Sequence, residues 1–217
     1  MTVSLDRYRL LYVSAPKVAC TSVKTAMFEL ENGVPFREFH ANGVQRHIHD
    51  PAIYPALPFE QARQLARPGM LKLALVRDPV RRLLSCYANR VVHYRELSVK
   101  VLGSGAFSAE LPPDPDLATF LARLDGYRAI SGSIWLHSQP LVYFLGQDQS
   151  FYDHLFDITR ISEFDETIRA HTGGPFRSPH LQTGGPALGR EDLSRAQIQA
   201  IRSRYDEDWR AFGSLFA

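Results

Sequence analysis

With 217 residues, 45% of them hydrophobic, 22% charged and a net charge of +2, the chain can bury one sizeable core and reads as a single domain over residues 1–217. So mild a charge, without a Lys/Arg run or interleaved aromatics, argues against a nucleic-acid partner, and no linker, repeat or low-complexity tract is present. No stretch is apolar enough to span a membrane, and Asp6, Arg7 and Arg9 surround an apolar run too short for a signal peptide.

The first predicted element is a buried parallel strand over Leu10 to Val13, a short unbroken apolar run. A tight loop through Pro16 and Lys17 follows, and from Thr21 onward Val23, Ala26, Met27 and Leu30 recur at helical spacing. A strand, a loop and a helix start in succession offer unpaired backbone N–H groups and the positive end of the helix dipole to an anion. Lys17 adds a full charge, while Thr21 and Ser22 add hydroxyl donors; Lys24, one turn farther, is expected to face solvent. A triphosphate P-loop would need two glycines and a terminal Lys-Ser/Thr pair. Here the lysine comes first and small residues stand where the glycines would be, so the ligand is expected to be an oxyanion handled without an obligatory metal ion. The plainer alternative makes Lys17 a surface lysine before a helix capped by Thr21 or Ser22.

Next come His40 and His47-Ile48-His49-Asp50, in a segment made irregular by Pro51, Pro55 and Pro58. The histidine pair is a candidate for proton transfer or a surface pair; no Cys/His partners at zinc-site spacing accompany it. Leu71 to Val76 is a second apolar run, followed by Arg77-Asp78-Pro79-x-x-Arg82-Leu83-x-Ser85-x-Tyr87. Asp78 suits an N-cap and Pro79 the first helical position, and Val80, Leu83, Leu84, Tyr87 and Val91 give one apolar face. Arg77 stays at the C-terminal end of the strand, where open parallel sheets bind ligands, and its planar fork suits a bidentate phosphate contact. Ser85, two turns in, is placed to donate to the same anion. Alternatively Arg77 pairs with Asp78 and Ser85 is a helix-surface residue.

Two such junctions imply a ligand with two separated anionic groups. Pro16-Lys17-x-Ala19-Cys20-Thr21-Ser22 resembles the 5′-phosphosulfate loop of carbohydrate sulfotransferases of the chondroitin, HNK-1 and heparan 2-O type, and the Arg77 to Tyr87 motif resembles that family's 3′-phosphate motif. The resemblance implies a P-loop-like fold and the donor 3′-phosphoadenosine 5′-phosphosulfate (PAPS), its 5′ end on Lys17, Val18, Ala19, Cys20, Thr21 and Ser22 and its 3′-phosphate on Arg77 and Ser85. Lys17 would neutralise charge on the leaving side. The heparan 2-O branch also has a His-x-His in the corresponding interval, which implies His49, then His47, as the base that takes the acceptor's hydroxyl proton, with His40 a third candidate.

Downstream, residues from Leu97 to Leu117 read as a variable region. Trp135-Leu136-His137-Ser138-Gln139-Pro140 resembles the family's His-x-Pro-Gln region with the order altered, implying that His137 and Gln139 line the acceptor pocket. Leu155 to Thr159 reads as a strand and Ser162-x-x-Asp165 as a capping box. His171 to Arg190 is a loop; its Ser178-Pro179-His180-Leu181-Gln182-Thr183 resembles a late family loop that closes over the nucleotide, implying a contact from Thr183. Ser194-x-x-Gln197 caps a final helix with Ile198, Ile201, Tyr205, Trp209 and Phe212 on its core face.

The fold expected is α/β in three layers, a short central parallel sheet flanked by helices. The function expected is PAPS-dependent transfer of a sulfuryl group to a hydroxyl of a carbohydrate or glycan-like acceptor, without a metal and without a nucleic-acid or membrane partner. A non-catalytic nucleotide-binding module and a P-loop-type nucleotide kinase are the alternatives. Cys20 and Cys86 sit in the two anion motifs rather than in a disulfide framework, which fits a reducing compartment, so a compact bacterial-type chain in the cytoplasm is expected.

Overall fold

The computed structural model describes residues 2–54, 57–181 and 184–217. In chain order the strands are β1 (Thr2–Leu5), β2 (Leu10–Val13), β3 (Phe39–Ala41), β4 (Val44–Arg46), β5 (Leu71–Val76) and β6 (His154–Asp157). The helices are α1 (Cys20–Asn32), α2 (Phe59–Ala62), α3 (Pro79–Cys86), α4 (Val99–Leu102), α5 (Leu117–Ala122), α6 (Leu124–Ile130), α7 (Gly132–His137), α8 (Leu141–Leu145), α9 (Ile161–Thr172), α10 (Arg195–Arg204) and α11 (Asp206–Phe212).

The fold is α/β, with a four-stranded sheet in the order β1-β2-β5-β6 flanked by helices. β2, β5 and β6 run parallel, as expected, but β1 pairs antiparallel with β2 and makes the sheet mixed. The reason is the length of the connection. A single 3₁₀ turn over Asp6–Tyr8, closed by Arg9 at a left-handed φ of 48°, reverses the chain, whereas a parallel return needs a crossover of a dozen residues or more.

Contacts divide the chain into two compact units. The first comprises Met1–Arg77, Leu141–Gln182 and Glu207–Ala217, and holds the sheet. Its central strands are buried on both faces: every residue of β2 and Leu73–Val76 of β5 has no exposed surface, which is why both read as unbroken apolar runs. Phe164 of α9 packs edge-on against Tyr12 at 5.5 Å and Phe156 at 6.0 Å. The buried carboxylate of Asp208 accepts from the backbone N–H groups of Leu141 (2.8 Å) and Val142 (2.9 Å), satisfying the start of α8 from a distant part of the chain.

The second unit comprises Asp78–Pro140 and Thr183–Asp206. Asp78 caps α3 by accepting from Arg81 N at 3.0 Å, with Pro79 as its first residue, and Arg190 pairs with the same carboxylate. The helix continues as a π-helical segment over Tyr87–His93. Tyr87, Phe120 and Tyr127 form an aromatic file with centroids 5.3 and 6.0 Å apart, and the Arg82 guanidinium is buried over the ring of Tyr205.

Three local expectations give way. β6 stops at Asp157, because its carboxylate accepts from the N–H (2.9 Å) and hydroxyl (2.7 Å) of Thr159 and turns the chain into a 3₁₀ turn. Ser162 is not a cap: α9 already starts at Ile161, and Asp165 instead accepts from the N–H and Oγ of Ser178 at 2.9 and 2.7 Å. The last helix forms its Ser194–Gln197 capping box but breaks at Tyr205 into α10 and α11. Strands β3 and β4 form a separate two-stranded hairpin whose turn is Asn42-Gly43, both at positive φ, the pair that a two-residue hairpin turn favours.

Candidate functional site

The site is built where β2 and β5 end. The two strands are parallel and paired with Val13 opposite Ala74, so the loops that follow them leave the same edge of the sheet. Arg77, the residue after β5, donates from its guanidinium to the carbonyl oxygen of Lys17 at 3.1 Å. That bond joins the two junctions found in the sequence, and the Asp78 carboxylate accepts from Arg81 N and Arg190.

The loop itself is wound without glycine. Lys17 and Ala19 both have left-handed backbones, with φ of 65° and 52°. A left-handed residue with a side chain costs roughly 1–2 kcal/mol, and such conformations persist where surrounding structure enforces them. Ala19 is the N-cap of α1, and no side chain caps the helix, so Thr21 and Ser22 are not its caps. The first-turn N–H groups of Cys20, Thr21 and Ser22 thus meet the loop's alternating backbone, the arrangement that forms an anion-binding concavity. Lys17 and Thr21 are half-buried there, and Val18 and Ser22 are buried.

His49 reaches this cradle. Its Nε2 lies 2.8 Å from Thr21 Oγ1, a hydrogen bond across 28 positions of sequence. Its backbone sits in a hydrogen-bonded turn: His49 N donates to His47 Nδ1 at 3.0 Å, and Asp50 N donates to the His47 carbonyl at 2.8 Å. Asp50 in turn accepts from Arg46 and from Ala52 N, each at 2.8 Å. The Arg46 hydrogen bond, with the Ala52 N–H, holds the Asp50 carboxyl below the usual carboxylate range. His47 is exposed and serves as a support for His49; His40 lies exposed on β3.

Lys24 is not at the surface. It has no exposed area, and its amine has no hydrogen-bond acceptor among the described residues. The ring of Tyr54 lies 5.8 Å from Nζ, and burial pulls the Lys24 pKa down to about 8. Its position was legible in principle, since Cys20, Lys24, Met27 and Glu31 follow helical spacing and Cys20 and Met27 lie on the buried stripe.

The remaining candidates lie elsewhere in the chain. Leu181 N donates to Ser22 Oγ at 3.3 Å, so the late loop does reach the start of α1, but Pro55, Gln182 and Thr183 lie outside the described residues. Ser85 is a half-buried residue of α3 in the second unit. In that same unit the ring of His137 bonds the Ser133 carbonyl of its own helix at 2.8 Å, and Gln139 is buried with its side-chain oxygen 3.4 Å from Arg128. Among the described residues, no group of three or more His, Cys, Asp or Glu is placed to hold a metal ion, and no helix is long and apolar enough to cross a membrane.

An α/β chain with a helix N-terminus and a lysine-bearing loop at the C-terminal ends of two parallel strands, and a histidine hydrogen-bonded to that helix start, has the groups that group-transfer chemistry uses. The sequence profile of the Sulfotransferase family matches residues 2–120, more than half of the 217, and the chain belongs to that family. Sulfuryl transfer is the activity class that membership supports. The matched span contains the Lys17 loop, the histidine pair and the Arg77 junction, while His137, Gln139 and Thr183 lie beyond it. No curated protein and no solved structure gives a significant match.

Proposed function

We propose that the chain transfers a sulfuryl group from PAPS to a hydroxyl of a carbohydrate or glycan-like acceptor by in-line displacement on a P-loop-like scaffold. The observation that carries this reading is the 2.8 Å contact between Thr21 Oγ1 and His49 Nε2, because it joins a proton acceptor to the anion cradle. The cradle suits the donor's 5′ end: open helix N–H groups, a lysine and two hydroxyls converge on one loop. When bound, the donor supplies a sulfuryl group activated by a phosphate leaving group.

The chain's own residues then have separable tasks. The backbone from Val18 to Ser22 and the hydroxyls of Thr21 and Ser22 bind and orient the phosphosulfate end. Lys17 meets the charge that grows on the bridging oxygen as the sulfur–oxygen bond breaks, a stabilisation that is largest when preorganised. His49, held by Thr21 and His47, takes the acceptor's hydroxyl proton on a ring nitrogen as that oxygen bonds to sulfur. Arg77 braces the loop through the Lys17 carbonyl and is proposed to meet the 3′-phosphate. Ser85 and Thr183 as nucleotide contacts, His137 and Gln139 as acceptor contacts, and the carbohydrate nature of the acceptor enter on the motif likeness alone.

Calorimetric titration with adenosine 3′,5′-bisphosphate and a radiolabelled sulfate-transfer assay over a panel of glycans test the reading together. Native protein is expected to bind the bisphosphate, Arg77→Ala to bind it at least about tenfold more weakly, and His49→Ala to keep its affinity while losing about 10²–10⁴ in turnover. Binding without transfer to any acceptor would favour a nucleotide-binding module, and full activity in His49→Ala would remove the base.

A further inference from the structure

Lys24 is the buried charged group that the mechanism above does not use. Four observations describe it. It lies four residues, one helical turn, after Cys20, the first residue of α1, and side chains on a helix lean toward its N-terminus, so its amine extends back to the level of the cradle. It has no exposed surface and no hydrogen-bond acceptor among the described residues. The segment that carries His49 covers it, anchored on α1 at both sides: His49 on Thr21 at 2.8 Å and Tyr54 OH on Glu31 at 3.4 Å. The Tyr54 ring faces Nζ at 5.8 Å and supplies a weak cation site.

A buried ammonium with no acceptor is costly, several kcal/mol even after relaxation, unless an anion compensates it. Among the described residues no hydrogen-bond acceptor does so: the Cys20 thiol on its own helix and the Tyr54 ring are the groups that act on it, and Glu31 is engaged by Tyr54. The neighbouring group still to be supplied is the anion of the cradle.

We propose that Lys24 is a proton-coupled electrostatic partner of the anion bound by the Pro16–Ser22 loop, taking a proton from solvent when the anion arrives and returning it when the site empties. This rests on the reading of that loop as the donor's 5′ site, and it assigns Lys24 a positioning role through charge rather than a place on the reacting atoms. The sign follows from the environment. In the empty site burial holds the amine at about 8; a nearby anion favours the charged form and raises that value toward the ordinary lysine range. Below pH 7 the amine is charged in both states, so binding takes up little; near pH 8.5, with the empty site near 8 and the filled site near 10.4, uptake is about three-quarters of a proton. The phosphates of adenosine 3′,5′-bisphosphate are fully ionised at that pH and contribute nothing.

The test titrates adenosine 3′,5′-bisphosphate into the full chain at pH 6.5 and 8.5, each in two buffers of different ionisation enthalpy, which reads the protons exchanged. Native protein is expected to take up about three-quarters of a proton at pH 8.5, whereas at pH 6.5, where the bisphosphate's own second ionisation near pH 6 also exchanges protons, native protein and Lys24→Met should differ by less than about a tenth of a proton. Lys24→Met, which fills the space with an apolar chain, should lose the uptake, bind about tenfold more weakly at pH 6.5 and melt no lower than native; Cys20→Ala should retain the uptake. Native protein that binds without uptake at pH 8.5 overturns the proposal regardless of how any variant folds, as does uptake retained in Lys24→Met. Native protein that does not bind the bisphosphate at either pH sinks the donor reading itself, a separate result.

Discussion

Thr21→Val removes one hydroxyl and almost no volume, and it tests whether the cradle orients the base. His49 is tied to the cradle by the 2.8 Å bond to Thr21 Oγ1 in a half-buried setting. Such a bond is worth roughly 0.5–1.5 kcal/mol net, and a ring nitrogen left without it adds a desolvation penalty of about 1–3 kcal/mol. If 1–2 kcal/mol of orienting energy is lost, the productive ring orientation falls about 5- to 30-fold in population, and turnover at saturating PAPS should fall by the same factor. Thr21→Ser keeps the hydroxyl and should stay within about threefold of native. The decisive assay is the double-mutant cycle for turnover with His49→Ala. Thr21→Val should cost clearly less once His49 is absent, only what its hydroxyl contributes to holding the donor; two losses that simply multiply would show that Thr21 acts on the donor alone, and the orienting argument would fail.

Asp208→Ala leaves two N–H groups at the start of α8, one buried and one half-buried, without this acceptor, so stability should drop by about 2–3 kcal/mol and the melting temperature by about 5–10 °C; calorimetry reads both. Ala19→Gly relieves a left-handed backbone, and after the glycine entropy penalty should raise stability by about 0.5–1 kcal/mol, so a lower melting temperature would contradict the strain argument. Carboxylates held below their ordinary range by arginine hydrogen bonds contribute to the acid limb of stability, Asp50 through Arg46, Asp125 through Arg204 and Glu163 through Arg160. Their contribution is fully present above about pH 4–5 and is lost as pH falls through the depressed values, so Arg46→Met should flatten part of that decline in acid unfolding curves.

Much of the scaffold was readable because its cues are local. Leu10–Val13 and Leu71–Val76 are strands with the bounds their apolar runs imply, and Asp78-Pro79 starts α3 as cap and first residue because both act within one turn. Asn42-Gly43, between His40 and His47, carries an equally local hairpin signal. By contrast Ser162 and Asp165 had the spacing of a capping box, yet Ser178, thirteen residues beyond Asp165, takes the carboxylate, and no local pattern anticipates that competitor. Lys24 failed for a related reason: a lysine is ordinarily assigned to solvent, and only the segment from His49 to Tyr54 folding over α1 buries it.

The sequence by itself determined the parts of the site: a lysine-first loop, a histidine pair, an arginine left at a strand end, and through them the Sulfotransferase family. These are matters of residue type and short spacing, which the chain carries regardless of its fold. Tertiary structure decided how the parts meet. Parallel pairing of β2 with β5 brings Arg77 to the Lys17 carbonyl, the turn pinned by Asp50 brings His49 to Thr21, and the left-handed Lys17 and Ala19 open the helix N-terminus without a glycine. Each depends on hydrogen bonds between residues 28 to 60 positions apart or on strain sustained by such bonds, and energies of that kind exist only once the chain has folded.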